Sequence, residues 1–148
     1  MSGPLNHSPA DIVRHLLKNE GYGTLPEERE DWPLNISMEP DKPDNCITLY
    51  DTQGRDFGFT APDRERQVME GIQIKVRAID HPTGFTKANA LAIAIDRISE
   101  EVLMIDATQY IIHRIRRTSD VLVLGQEKPQ SNRHLFTINA VVSLRIKP

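Results

Sequence analysis

The chain has a single cysteine, few aromatic residues and no long apolar run. Cys46 alone makes no internal disulfide, and no second cysteine exists to build a structural zinc site. Aromatic residues are 5% of the sequence, too sparse for the stacking platform that holds single-stranded nucleic acid. No segment approaches the roughly 20 apolar residues that a bilayer-spanning helix needs. Met1 to Ala10 has neither the basic start nor the apolar stretch of a signal peptide. With a net charge of −3, the whole molecule has no pull toward nucleic acid or anionic lipid. The expectation is a protein without membrane contact that works in a cytoplasm or in something assembled there.

Catalytic and cofactor signatures are missing as well. The histidines, His7, His15, His81, His113 and His134, show no paired metal-ligand spacing. His15, on a helical pattern, and His113, between Ile111 and Ile115, read as structural residues. No Gly-x-Ser-x-Gly elbow supports a serine nucleophile. Gly21-Tyr22-Gly23 follows a helix rather than a strand, so it reads as a helix stop and not as a phosphate cradle. Cys46 reads as a small core residue. The sharpest enzymatic candidate is a degenerate Mg²⁺ nuclease, with Pro43-Asp44 opening one strand and Gln73-Ile74-Lys75 in the next. That chemistry needs two carboxylates for the metal and a lysine near the attacking water. Gln73 puts a neutral amide where the second carboxylate belongs. The plainer reading is preferred: Asp44 shapes a turn, and Gln73 and Lys75 line the wet face of a strand. No enzyme activity, catalytic residue, cofactor or metal is expected.

What is present suits one ordinary domain over residues 1–148. Hydrophobic residues make up 39% and charged residues 26%, and a domain of this length buries about 68–70% of its unfolded surface. Ser8-Pro9-Ala10-Asp11 opens a helix, with Ser8 as cap and Pro9 in the first position. Ile12, Val13, Leu16 and Leu17 give it an apolar stripe, and Gly21 ends it. Leu34, Ile36 and Met38 alternate with polar residues as a strand, and Cys46 to Tyr50 is a second, closed by a turn at Asp51-Thr52-Gln53-Gly54. Residues 52–67 read as a long irregular segment, of the length usually kept for function. In the next strand Val68, Ile72, Ile74 and Val76 face one way and Gln73, Lys75 and Arg77 the other, until His81-Pro82-Thr83-Gly84 breaks it. A helix capped by Thr83 or Thr86 then runs to about Leu103. Tyr110 to Arg117 is a strand, Val121 to Leu124 a short apolar run, and Phe136 to Ile146 a long strand whose strict alternation fixes its register. The order α-β-β-β-α-β-β predicts an α+β fold: a mixed, mostly antiparallel sheet with two helices packed on one face.

Some residues point outward. Phe57 and Phe59 lie in a segment too polar to be core. Ile93 sits opposite the apolar face of the second helix, beside Ala90 and Ala94, where a monomer would place a charge. The last strand offers an edge for pairing unless it is central. These three side chains are the candidate protein–protein contacts. Arg114 and Arg116 share one strand face and Arg117 takes the other, so only a partial basic stripe forms with Arg133 and Arg145. A solvated face paired with carboxylates is the favoured account of it, ahead of contact with DNA phosphates.

From about Asp41 onward the chain resembles the phage tail-terminator or minor capsid family. The words that carry this are Pro43-Asp44-Asn45 with Ile47-Thr48-Leu49-Tyr50-Asp51-Thr52, then Gly71-Ile72-Gln73-Ile74-Lys75-Val76-Arg77, the helix from Phe85, Leu124-Gly125, and Phe136-Thr137-Ile138-Asn139-Ala140-Val141-Val142. None is a catalytic signature; the order of the words makes the resemblance. It implies a virion protein in the tail or neck, assembled in the host cytoplasm. Such a subunit closes into a ring with copies of itself, typically a hexamer, on the last ring of the tail tube protein. The ring stops tube growth and joins the head–tail connector protein, with DNA touching the lumen in passing. Residues 52–67 and 125–133 would make axial contacts and Ile93 a contact within the ring. Gln53 to Phe59 is more aromatic than the matching segment of the family. The alternatives are a head-completion or connector subunit and, in a different class, the degenerate nuclease.

Overall fold

The fold was determined as a computed structural model, which describes residues 5–28, 30–60, 65–126 and 132–147, with the side chains of 54–60 and 65–68 outside the description. Ser8 caps helix α1 (Pro9–Asn19) through a 3.2 Å hydrogen bond from the Asp11 N–H, and Pro9 holds the first position. The helix stops as expected: Gly21 takes φ +82°, Gly21 N–H donates to the Lys18 carbonyl, and Tyr22 N–H donates to the Leu17 carbonyl. A second acceptor serves this first turn, because Asp51 takes the Ala10 N–H at 2.9 Å.

Seven strands follow among the described residues: β1 (Leu34–Ile36), β2 (Cys46–Thr60), β3 (Glu65–Ala78), β4 (Ser99–Ile105), β5 (Thr108–Arg117), β6 (Leu122–Gln126) and β7 (His134–Ile146), with helix α2 (His81–Asp96) between β3 and β4. They form one mixed, mostly antiparallel sheet in the order β1-β2-β3-β7-β5-β4, with β6 on β7 where β5 has left it. The last strand is therefore central: β3 pairs one edge from His134 to Val142, while β6 and β5 share the other. Register places Ile47, Val76 and Phe136 in one row and Leu49, Ile74 and Ile138 in the next, all fully buried. Each such side chain contributes roughly 1.5–3 kcal/mol by leaving water. Helix α2 covers this face over β3, β7 and β5, and α1 covers it over β1, β2 and β3 while also reaching β4. The sheet thus curls so that both edges approach α1. Expected α+β architecture and observed architecture agree.

Several local expectations do not hold. Of the expected irregular segment 52–67, the described residues are strand: β2 runs to Thr60 and β3 starts at Glu65 as one antiparallel ladder, with 61–64 outside the description. Its shifts in register fall between Thr52 and Arg55 and between Asp56 and Gly58. Gly54 and Gly58 therefore mark bulges in a strand rather than a loop. Helix α2 begins earlier and ends earlier than its pattern suggested. Asp80 is the cap, accepting the Thr83 N–H at 2.8 Å, and Pro82 fits the first turn. The helix closes at Asp96, and Val102 lies on β4, half exposed. Gly84 lies within the helix, where a side chain would overlap the Phe136 ring. With β4 and β6 added, the order becomes α-β-β-β-α-β-β-β-β. Strand β1 pairs β2 in parallel, so residues 37–45 form a strap leading back to the start of β2, not a hairpin turn.

Candidate interaction surfaces

The outer face of the sheet, away from the helices, carries the polar partners of the core rows. Arg77, expected on a wet face, is 1% exposed. Its guanidinium donates to the carbonyls of Asp41, Pro43 and Asp44 and to Glu39 Oε1 at 3.0 Å, tying the strap across β2 and β3. Lys75 Nζ lies 3.0 Å from Glu39 Oε2, yet that oxygen has no partner in hydrogen-bond geometry, so the contact is electrostatic in character. Cys46 and Thr48 lie beneath, and burial pushes the Cys46 thiol up from its ordinary pKa.

The residues of the nuclease candidate share this face but are committed to other partners. Asp44 is held below the usual carboxylate range first by a 3.0 Å hydrogen bond from Lys42, with Arg133 3.5 Å away. Gln73 donates to Asn139 at 3.1 Å, and Lys75 belongs to Glu39. Among the described residues no group of three His, Cys, Asp or Glu side chains is placed to hold a metal. The histidines make structural contacts: His7 with Tyr110 at 2.6 Å, His15 with the Asp11 carbonyl at 2.9 Å. His113, half-buried, lies 3.0 Å from Glu100. A 760 Å³ groove opens between the strap and the segment before β1, lined by Pro26, Trp32, Asn35, Pro43 and Ile79 among others. Beyond it Lys87 sits over the Trp32 and Tyr22 rings, at 5.2 and 6.0 Å from their centroids, and burial pulls its ammonium below its usual pKa.

The arginines divide as their alternation on β5 predicts. Arg114 and Arg116 sit opposite Ser143 and Val141 on the outer face, both exposed. Arg117 turns to the other face and pairs with Asp96 at 2.8 and 2.9 Å, which raises its pKa. Arg145 donates to His113 at 3.3 Å, and Arg133 is drawn to the strap by Asp41 and Asp44. No single stripe brings the five together.

Apart from Met38 on the strap and Ile79 between β3 and α2, the exposed large apolar residues among those described lie on two elements at the sheet margin and on α2. Ile93 is 44% exposed on the outward face of α2, as expected, while Ala94 beside it is buried. Phe85, two turns earlier on that face, is 45% exposed, and its ring meets those of His81 and Phe136. Val102 and Met104 stand out from the edge strand β4, and Leu122, Val123 and Leu124 from β6; nothing in the sequence pattern marked either as an exposed edge. Phe57 and Phe59 lie on β2, with side chains outside the described residues. Past Glu70, the last residue that β3 pairs with β7, β2 and β3 pair only with each other among the described residues, from Arg55–Met69 to Thr60–Glu65. No family model matches the chain, and no curated protein shows significant similarity to it.

Proposed function

We propose that this protein is a structural component of a phage virion that caps the tail tube as a ring of its own copies. The ring stops tube growth and joins the tail to the head connector. The words of sequence given above supply the family likeness. The observation that carries the proposal is the two-stranded arm formed by β2 and β3 beyond Glu70. Seven residues of strand, 54–60, reach about 20 Å. A hairpin without a third strand is marginal in water, so a neighbouring chain is the natural support for it. Closing a ring requires two different patches on each subunit, and the arm, the outward face of α2 with Ile93, and the strands β4 and β6 supply different patches.

The deciding experiment is electron microscopy of particles made when the gene carries an early stop codon. Overlong or ragged free tails beside separate DNA-filled heads are expected. Tails of normal length with unjoined or leaking heads would move the protein to the connector side of the joint and defeat the terminator reading.

A further inference from the structure

Lys87 is the only lysine or arginine of α2, and it meets two rings instead of a carboxylate. Its Nζ lies 5.2 Å from the centroid of Trp32 and 6.0 Å from that of Tyr22. Among the described residues it makes no ion pair or hydrogen bond. Lys18 on α1 and Lys42 on the strap differ in this respect, with Glu28 and Asp44 at 3.7 and 3.0 Å. Burial, with no carboxylate to offset it, pulls the Lys87 ammonium below its usual range. The ring faces hold the ammonium in place but leave its three N–H donors without a protein acceptor. A half-buried cation in that condition gains from an incoming anion, which supplies the partner that desolvation took away.

The surroundings of Lys87 have room for one. An open pocket of about 480 Å³ lies over it, lined by Trp32, Pro82, Thr83, Thr86 and Ala90. Trp32 also lines the 760 Å³ groove beside the strap, and Ile79, three residues before Pro82, lines that groove as well. Pocket and groove therefore adjoin along both walls, which suits an extended chain better than an enclosed small molecule. Glu30 and Asp31 line the groove and not the pocket, so a partner's carboxylate is drawn to the Lys87 end. Trp32 takes φ +55°, a left-handed conformation that bulky residues seldom adopt. Thr24 fixes it there: its N–H donates to the Trp32 carbonyl at 3.1 Å, its hydroxyl donates to the Asp31 carbonyl at 3.1 Å, and its carbonyl accepts the Leu34 N–H at 2.7 Å. Backbone strain held in this way is characteristic of ligand clamps. A fixed indole is also the kind of aromatic anchor that protein interfaces favour.

We propose that Trp32 and Lys87 form a docking site for an extended acidic segment of a partner protein, with a carboxylate on the Lys87 ammonium and an apolar side chain against the Trp32 ring. This site stands independently of the ring reading given above. Trp32 is the only tryptophan of the chain, so its fluorescence reports on the site directly. The purified full chain is titrated with three pools of end-blocked hexapeptides, randomised except for a central Leu-Glu, Leu-Gln or Leu-Lys. The glutamate pool is expected to change the Trp32 emission and to bind at least about tenfold more tightly than the glutamine pool, with the lysine pool weaker still. The preference for glutamate should shrink as salt is raised, a test that needs no variant. Lys87→Gln should abolish the preference and Lys87→Arg should keep it, both with the urea midpoint of wild type. No change in emission with any pool, equal binding of the glutamate and glutamine pools, a preference indifferent to salt, or one that survives Lys87→Gln would each overturn the site. N-acetylglutamate amide binding as tightly as the glutamate pool would make it a site for small carboxylates and overturn the peptide. Emission that changes with protein concentration alone, without a response to peptides, would give the surface to a second copy and overturn it too.

Discussion

Arg77 holds a full charge where only 1% of its surface meets water. That position is tolerable because its donors reach three carbonyls and one carboxylate, all on the strap. Removing one member of a buried ion pair costs far more than the pair gains, because its partner is left desolvated. Arg77→Met should therefore destabilise the fold by about 3–5 kcal/mol, read as a lower urea midpoint, with Glu39 and three strap carbonyls left short of donors. An unchanged midpoint would mean that the strap is not fastened by this residue. Alternation on β3 correctly put Arg77 on the face opposite Ile74 and Val76. It said nothing of the strap that covers that face, because the strap comes from a segment some 35 residues earlier in the chain.

Helix caps show how well local chemistry is written at the scale of an element. For α1 every signal was local, from Ser8 and Pro9 to Gly21, and each one holds. For α2 the tight His81-Pro82-Thr83-Gly84 sequence resembles a chain break, yet Asp80 before it is a good cap and proline suits a first turn. The Thr83 backbone N–H keeps the Asp80 carboxyl below its ordinary value. Its contribution is present above the unfolded carboxylate pKa and is lost as pH falls through the lower folded one. Asp80→Ala should lower the melting temperature at neutral pH, and its deficit against wild type should close as both are acidified past that folded value. Thermal melts followed by circular dichroism read both effects; equal melting temperatures at neutral pH would deny Asp80 its capping role. The β2–β3 ladder teaches the opposite lesson. Gly54 and Gly58 punctuate the sequence like a loop, but cross-strand pairing absorbs them as bulges.

At the scale of the whole molecule, helix α2 and the margins of the sheet leave apolar residues exposed. Ile93 on α2 is the clearest, since an outward helix position costs nothing to fill with a charge. Ile93→Glu is expected to block association of the purified chain. The isolated subunit should keep its stability to within about 0.5 kcal/mol, as surface changes usually do. Sedimentation and urea unfolding separate the two; a ring that survives intact would place the interface elsewhere on the molecule.

The sequence by itself determined the class of fold, the faces of β5, β7 and the latter part of β3, and the bounds of the first helix. These depend on period, caps and turn chemistry within a few neighbouring residues, as in the alternation of Phe136, Ile138 and Ala140. Only the tertiary structure decided that the last strand is central, that β1 runs parallel to β2, that Arg77 is buried, and that Arg114 and Arg116 stand uncommitted while Arg117 and Arg145 are spent. Each of these depends on which distant segment pairs with or covers a given face. Periodicity says which way a side chain points, but not what meets it there.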